Sequence, residues 1–211
     1  MTMKRETGQD FWDADYRQKG RLYGGSPRQL PAFPAGTRVL ELGCGDGKSL
    51  SAMIAHGWDV TAIDFSSRAI QLAREVAGKG TGAALAVADA GTLPFPARVF
   101  DAVVAIHILG HSDEEGRTRI AQEIFRVIRP GGWLWFACFS QQDFRYGNGM
   151  ETEPGTYLRG NGIPNHYFTD EEVSGLFSGF VVESLQRVEW VLRVRGKEHP
   201  RSEIEAVFRK D

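Results

Sequence analysis

Gly43, Gly45 and Gly47 stand at alternate positions directly after a short apolar run, in the stretch RVLELGCGDGKSL of residues 38–50. Glycine at this spacing lets a backbone approach a ligand closely and tolerates the dihedrals of a tight turn. Acids gather around the loop: Glu41 just before it, Asp46 within it, Asp64 23 positions after Glu41, and Asp89 after a further apolar run. A carboxylate about 20 residues beyond a glycine loop is the usual acceptor for the hydroxyls of a ribose. The spacing disfavours two phosphate sites. The dinucleotide fingerprint is GxGxxG, whereas here the third glycine comes one residue early, and Asp46 adds negative charge where a pyrophosphate would sit. A P-loop ending in Gly47-Lys48-Ser49 needs a glycine at position 42, which is Leu42. A cationic ligand with an amino group suits these acids better.

Such residues need a frame that brings strand ends together. RVLELG, DVTAID, AALAVAD, FDAVVAIHIL and WLWFACF read as strands, the fourth with an almost continuous apolar run. Between them lie helical segments: KSLSAMIAHG, closed by Gly57; SSRAIQLAREVAGKG, with Ile70, Leu72, Ala73 and Val76 on one side; and DEEGRTRIAQEIFRVIRP, with Ile120, Ile124, Phe125, Val127 and Ile128 at roughly helical spacing. Ser112 and Glu115 have capping-box spacing for the last, which Pro130, Gly131 and Gly132 end. This alternation predicts a doubly wound α/β fold, Rossmann-like, with a mostly parallel sheet covered on both faces. Ligands of such sheets sit at the carboxyl ends of the strands, where Glu41, Asp64 and Asp89 fall. Asp101, at a strand start, reads as structural, and Trp133 and Trp135 as packing residues. Asp64 alone has a competing role as a helix cap before Ser66.

One domain over 1–211 is expected: an N-terminal helix and lid segment (1–35), a binding core (36–139), a Gly/Pro/Asn-rich loop on the substrate side (140–168), and a C-terminal helix and hairpin (169–211). Thr169 and Glu172 form a second capping box, and two strand-like runs then predict an antiparallel hairpin at a sheet edge. A loop as long as 140–168 inside a compact domain is usually functional. Trp12, Tyr16, Tyr23, Phe144, Tyr146 and Tyr157 are expected to wall the substrate pocket, and Tyr16 to reach the ligand at the glycine loop. The first segment also carries Phe11, Gly24, Gly25 and Pro27. Net charge of −2 and a pI near 6.2 show no basic excess, so nucleic acid is not expected as a partner. Cys44 and Cys138 form no CxxC pair, which suggests neither a disulfide framework nor a zinc site. The polar start and the lack of a long apolar run suggest a cytoplasmic protein without a membrane span.

The segments VLELGCGDG, AIDFS, VADAGTLPFPARVFDAVVAIHIL and IFRVIRPGGWLWF together resemble the class I S-adenosylmethionine-dependent methyltransferases, the small-molecule branch in particular. The resemblance covers about residues 38–139 and rests on four motifs in order. It implies S-adenosylmethionine as cofactor and a seven-stranded sheet whose last hairpin is antiparallel. By that resemblance Gly43, Cys44 and Gly45 line the methionine part, Asp64 holds the ribose hydroxyls and Phe65 packs on the adenine. Asp89 accepts from the adenine amino group with Ala90 beside it, and Ile106 closes the adenosyl pocket. Glu41 and Asp46 suit the ammonium and sulfonium of such a ligand.

Methyl transfer from a sulfonium is an in-line displacement in which positioning alone can lower the barrier by about 7–11 kcal/mol. A base helps most when the acceptor is a hydroxyl. His107, just past a strand end, and His166, before the second capped helix, are candidates for that role; each also reads as a packing or surface histidine. His107 and His111 are four apart without an HExxH pattern, so no metal is expected. The expected acceptor is a small molecule. The alternatives are an RNA or protein methyltransferase and a non-catalytic cofactor-binding regulator; a nicotinamide oxidoreductase fits the glycine spacing least. The sequence names neither the acceptor nor the oligomeric state.

Overall fold

The computed structural model describes residues 8–20, 30–78, 80, 82–194 and 196–211; Tyr23, Gly24, Gly25 and Pro27 lie outside the described residues. In chain order the elements are α1 (Gly8–Lys19), β1 (Arg38–Leu42), α2 (Leu50–Ala55), β2 (Asp59–Asp64), α3 (Ser67–Ala77), β3 (Ala84–Val87), β4 (Phe100–Ile106), α4 (Glu114–Val127) and β5 (Ile128–Phe139). They continue with β6 (Met150–Glu153), β7 (Thr156–Leu158), β8 (Pro164–His166), α5 (Asp170–Leu176), β9 (Val181–Val194) and β10 (Lys197–Arg209). Seven strands form one sheet in the order β3-β2-β1-β4-β5-β10-β9. The first five are parallel, and β10 runs antiparallel to both β5 and β9. The winding direction reverses between β1 and β4, which opens a crevice at their carboxyl ends.

The period-two geometry of a strand sends Leu40 and Leu42 to one face and Val39 to the other, and both faces are covered. On one face Leu40, Leu42, Val103 and Phe136 pack with Ile120 and Ile124 of α4 and Val173 of α5. On the other Val39, Val60, Ala102 and Val104 pack with Met53 of α2 and Ile70 and Ala73 of α3. Burial on both sides explains why β4 reads as a continuous apolar run.

Local chemistry sets the helix starts. Ser66 caps α3, accepting from the amide of Ala69 at 3.1 Å, so Asp64 is not that cap. Thr169 caps α5 as its box predicts, accepting from the amide of Glu172 at 3.1 Å. The expected box from Ser112 to Glu115 is off by one. Asp113 caps α4, accepting from the amide of Gly116 at 2.8 Å, and the Ser112 carbonyl takes Arg117 Nη1 at 2.8 Å. A carboxylate one residue nearer the helix is the stronger acceptor and also meets the positive helix end.

Segment 140–168 departs from the expected loop. It holds the antiparallel sheet β6-β7-β8, whose strands of three or four residues are too short to show a period. The Ser140 and Ser202 hydroxyls, 2.8 Å apart, join the start of this segment to β10.

Candidate functional site

A cavity of about 600 Å³ opens at the carboxyl ends of β1, β2 and β4, between α1 and the small sheet. Its volume is in the range of small-molecule sites. The glycine loop forms one wall. Gly43, Gly45 and Gly47 have φ of 68°, 55° and 86°, the left-handed region that a side chain adopts only with strain. A Cβ at Gly45 would stand 2.7 Å from the Tyr16 hydroxyl. Gly45→Ala is therefore expected to cost about 1–2 kcal/mol in backbone strain and to push Tyr16 out of place. Donor binding should fall while a thermal melt moves only by a few degrees; a variant that binds like the parent would show that the loop tolerates this side chain.

Asp64, at the end of β2, ties the loop down. Its Oδ2 accepts from the Gly45 amide at 2.9 Å and its Oδ1 from the Ser66 amide at 2.8 Å. Burial raises its pKa, and those two amides work against the rise. Asp89 Oδ1 accepts from the Gly91 amide at 2.8 Å. Helix α1 latches over this end. Asp13 accepts from the hydroxyls of Ser66 and Ser67 and from the Arg68 amide, and Gln9 donates to the Phe65 carbonyl at 2.7 Å.

Two buried carboxylate oxygens here, Glu41 Oε2 and Asp46 Oδ2, have no hydrogen-bond partner among the described residues. Burial first, and then the charge of Asp64, push Glu41 up to about 8 against a hydrogen bond from Ser49. Buried carboxylate oxygens with unused acceptor capacity beside a glycine loop suit a ligand with an ammonium group. Cys44 is buried, and burial together with Glu41 and Asp64 pushes its thiol up, so it lines the wall as a neutral group. All the loop-side candidates border this one cavity: Tyr16, Glu41, Gly43, Cys44, Gly45, Asp64, Phe65, Asp89, Ala90 and Ile106.

The far end has different chemistry. His107 has φ 56°, stacks on Phe139 at 4.0 Å and places Nε2 3.1 Å from Glu203 Oε1. His111 Nδ1 lies 2.9 Å from the Pro164 carbonyl, and its ring meets Trp12 edge-on at 4.9 Å. Burial pushes His111 down to about 4, so it is neutral at pH 7. Arg145, Arg159, Arg201 and Trp190 complete this end.

His166 does not border the cavity, which corrects its candidacy as a base and agrees with its other reading as a packing histidine. Its Nδ1 lies 2.7 Å from the Thr156 hydroxyl and its Nε2 2.7 Å from Glu172, so both ring nitrogens are engaged. Arg117 binds Glu153 at 2.6 Å in the same buried network. His166→Ala is expected to lower stability by about 2–3 kcal/mol, because it strands buried polar partners, and to leave donor affinity unchanged. Denaturant unfolding and calorimetry together check this; weaker donor binding at unchanged stability would contradict it. Phe144, Tyr146 and Tyr157 also lie off the cavity; Tyr146 and Tyr157 pack on each other and on Tyr167. Phe139, Trp190 and Glu203 take the places expected of them. Their sequence signal was weak, since alternating aromatic and charged residues in strands look like packing and solvated faces.

The chain matches a methyltransferase domain family over residues 39–132. It is 30% identical over 229 aligned positions to the tRNA N(3)-methylcytidine methyltransferase Mettl2 of Drosophila melanogaster, an alignment covering 95% of this chain and 70% of the relative. It is 29% identical over 172 positions to the tRNA N(3)-cytidine methyltransferase METTL2 of Danio rerio, covering 76% of this chain and only 49% of that protein. An S-adenosylmethionine-dependent methyltransferase of Methanosarcina mazei superposes with a TM-score of 0.72 at 27% identity, covering 86% of this chain and 99% of that one. The tRNA enzymes among these relatives overturn the expectation of no nucleic-acid partner. A net charge averages over the surface, whereas here acids collect at one end of a cavity and arginines at the other. No helix among the described residues is long and apolar enough to cross a membrane.

Proposed function

The chain belongs to the class I S-adenosylmethionine-dependent methyltransferases, and on that premise we propose that it methylates a ring atom of a nucleobase in RNA. S-adenosylmethionine is the cofactor and supplies the methyl group by in-line displacement at its sulfonium carbon. In this reading Glu41 and Asp46 hold the ammonium, with Gly43, Cys44 and Gly45 alongside. Asp64 takes the ribose hydroxyls, Phe65, Ala90 and Ile106 enclose the adenine, and Asp89 accepts from its amino group. Tyr16 closes the loop side. The whole chain acts as one domain, with α1 as a cover that Asp13 latches to the start of α3.

One observation carries the choice of acceptor. Past Ile106 the cavity is bordered by flat rings, Trp12, His107, Phe139 and Trp190, and flat rings favour a planar acceptor such as a base turned out of its stack. The alignment with tRNA methyltransferases over nearly the whole chain supports the same choice. A ring nitrogen with a free lone pair needs no proton removed before attack, so the residues at this end serve mainly to orient the base and exclude water. His111 fits an orienting role: with Nδ1 donating to the Pro164 carbonyl, its Nε2 is left as an acceptor for an exocyclic amino group. A cytoplasmic location belongs to the same proposal, and two free buried thiols suit reducing surroundings.

The test is transfer of a labelled methyl group to unmodified tRNA transcripts, with nucleoside analysis of the product. A methylated base is expected. Label appearing only on small phenols or heterocycles, and never on RNA, would replace this acceptor with a small molecule.

A further inference from the structure

We propose that the arginine end of the cavity is a phosphate subsite, in which Arg145, Arg159 and Arg201 take the ribose-linked phosphate ester of the nucleotide whose base is methylated. This rests on the nucleobase reading and adds to it the group that docks the acceptor. Arg145 and Arg201 are built into the wall. Both donate to the fully buried Asp143, at 2.7 and 2.6 Å, and their guanidiniums lie over the Phe139 ring at 3.9 and 4.7 Å. Arg201 also stands 5.4 Å from the Trp190 ring. One carboxylate shared by two guanidiniums leaves the pair with net positive charge and with donors to spare.

Arg159 adds the third charge. It comes from the turn between β7 and β8, and its side chain makes no ion pair or hydrogen bond with the described residues. All three arginines border the same cavity, and all three oppose the burial that raises the Tyr167 phenol. Glu203, which also borders the cavity, faces His107 Nε2. The acids of the glycine loop occupy the opposite end, so the cavity is polarised along its length. An acceptor with an anionic group therefore has one favourable orientation, with its ring between the arginines and the methyl donor.

Cytidine 5′-monophosphate and cytidine are the probes, titrated by calorimetry into the full chain saturated with S-adenosylhomocysteine. The nucleotide is expected to bind about tenfold tighter than the nucleoside, and Arg159→Gln to remove most of that ratio. An unchanged ratio in Arg159→Gln would overturn the subsite while leaving the nucleobase reading intact. If neither probe binds, inorganic pyrophosphate separates the two ideas: binding that Arg159→Gln abolishes supports the subsite alone, and no binding overturns it. With an RNA oligonucleotide, the same substitution should reduce the slope of log affinity against log salt by about 1, the signature of one lost phosphate contact. An oligonucleotide that keeps the parent slope would confine the subsite to free nucleotides and overturn its role in docking RNA. Arg159 is exposed and holds its turn only through backbone bonds, its amide to the Ile163 carbonyl and its carbonyl to the Gly162 amide, so substitution of its side chain should leave the melting temperature in place.

Discussion

Asp64→Ala is expected to weaken binding of S-adenosylhomocysteine by about 100-fold or more, the effect of two charge-assisted hydrogen bonds of about 1.5 kcal/mol or more each. The proposal gives Asp64 two tasks, and the substitution removes both. Its oxygens hold the Gly45 and Ser66 amides at 2.9 and 2.8 Å, which fixes the glycine loop against the start of α3. Asp64 also borders the cavity, where the ribose hydroxyls would donate to its remaining lone pairs. Asp64→Asn keeps one acceptor oxygen and should lose about tenfold. Calorimetry on both variants, alongside a thermal melt, separates lost contacts from a collapsed loop. An affinity within threefold of the parent for Asp64→Ala would remove Asp64 from the donor site.

Glu41 is expected to make both stability and ligand binding depend on pH. In the folded protein this carboxyl is raised from 4.5 to about 8. A folded-state value above the unfolded one means the native chain keeps a proton that the unfolded chain has lost. Its contribution to stability is complete below about 4.5 and is lost as pH rises through about 8. Asp64, raised for the same reason, contributes with the same sign. A cationic ligand reverses the preference at Glu41, because an ammonium beside the carboxyl favours its ionised form. Donor binding below pH 8 should therefore release a proton, and affinity should climb by up to about tenfold per pH unit toward that value. Glu41→Gln is expected to abolish the release and flatten the profile. It should also weaken binding at pH 8 by about tenfold or more through loss of a charged acceptor. Titrations in buffers of unlike ionisation enthalpy measure the proton directly. No proton release in the parent protein would show that the ammonium sits elsewhere.

The glycine-loop end of the cavity was legible in the sequence, and its legibility has a local cause. Gly43, Gly45 and Gly47 follow β1 directly, so their spacing alone states that the backbone turns tightly at a strand end. Asp64 and Asp89 lie at or just past the ends of β2 and β3, and parallel pairing in the doubly wound order brings such ends to one edge. Capping was legible to within a residue: Thr169 behaved as read, whereas α4 took Asp113 in preference to Ser112. The small sheet β6-β7-β8 was not legible, because strands of three or four residues carry too few alternations to separate from a loop.

The far end of the cavity was decided by tertiary structure. Glu203 pairs with Phe139 across the β10–β5 ladder, and this register sets Glu203 beside His107. A slip of one residue would turn Glu203 to the other face, and nothing near it in sequence forbids that slip. Arg145 and Arg201, 56 positions apart, become one cationic wall because Asp143 binds both. His166 carries the residue type of a base, yet its surroundings spend both nitrogens on Thr156 and Glu172. By itself the sequence determined the doubly wound sheet, the glycine loop and the ring of acids that suits a cationic donor, since all of these follow from short-range pattern. Which histidine borders the cavity, which arginines converge and where the acceptor would lie depend on contacts between distant segments, and only the folded chain supplies those.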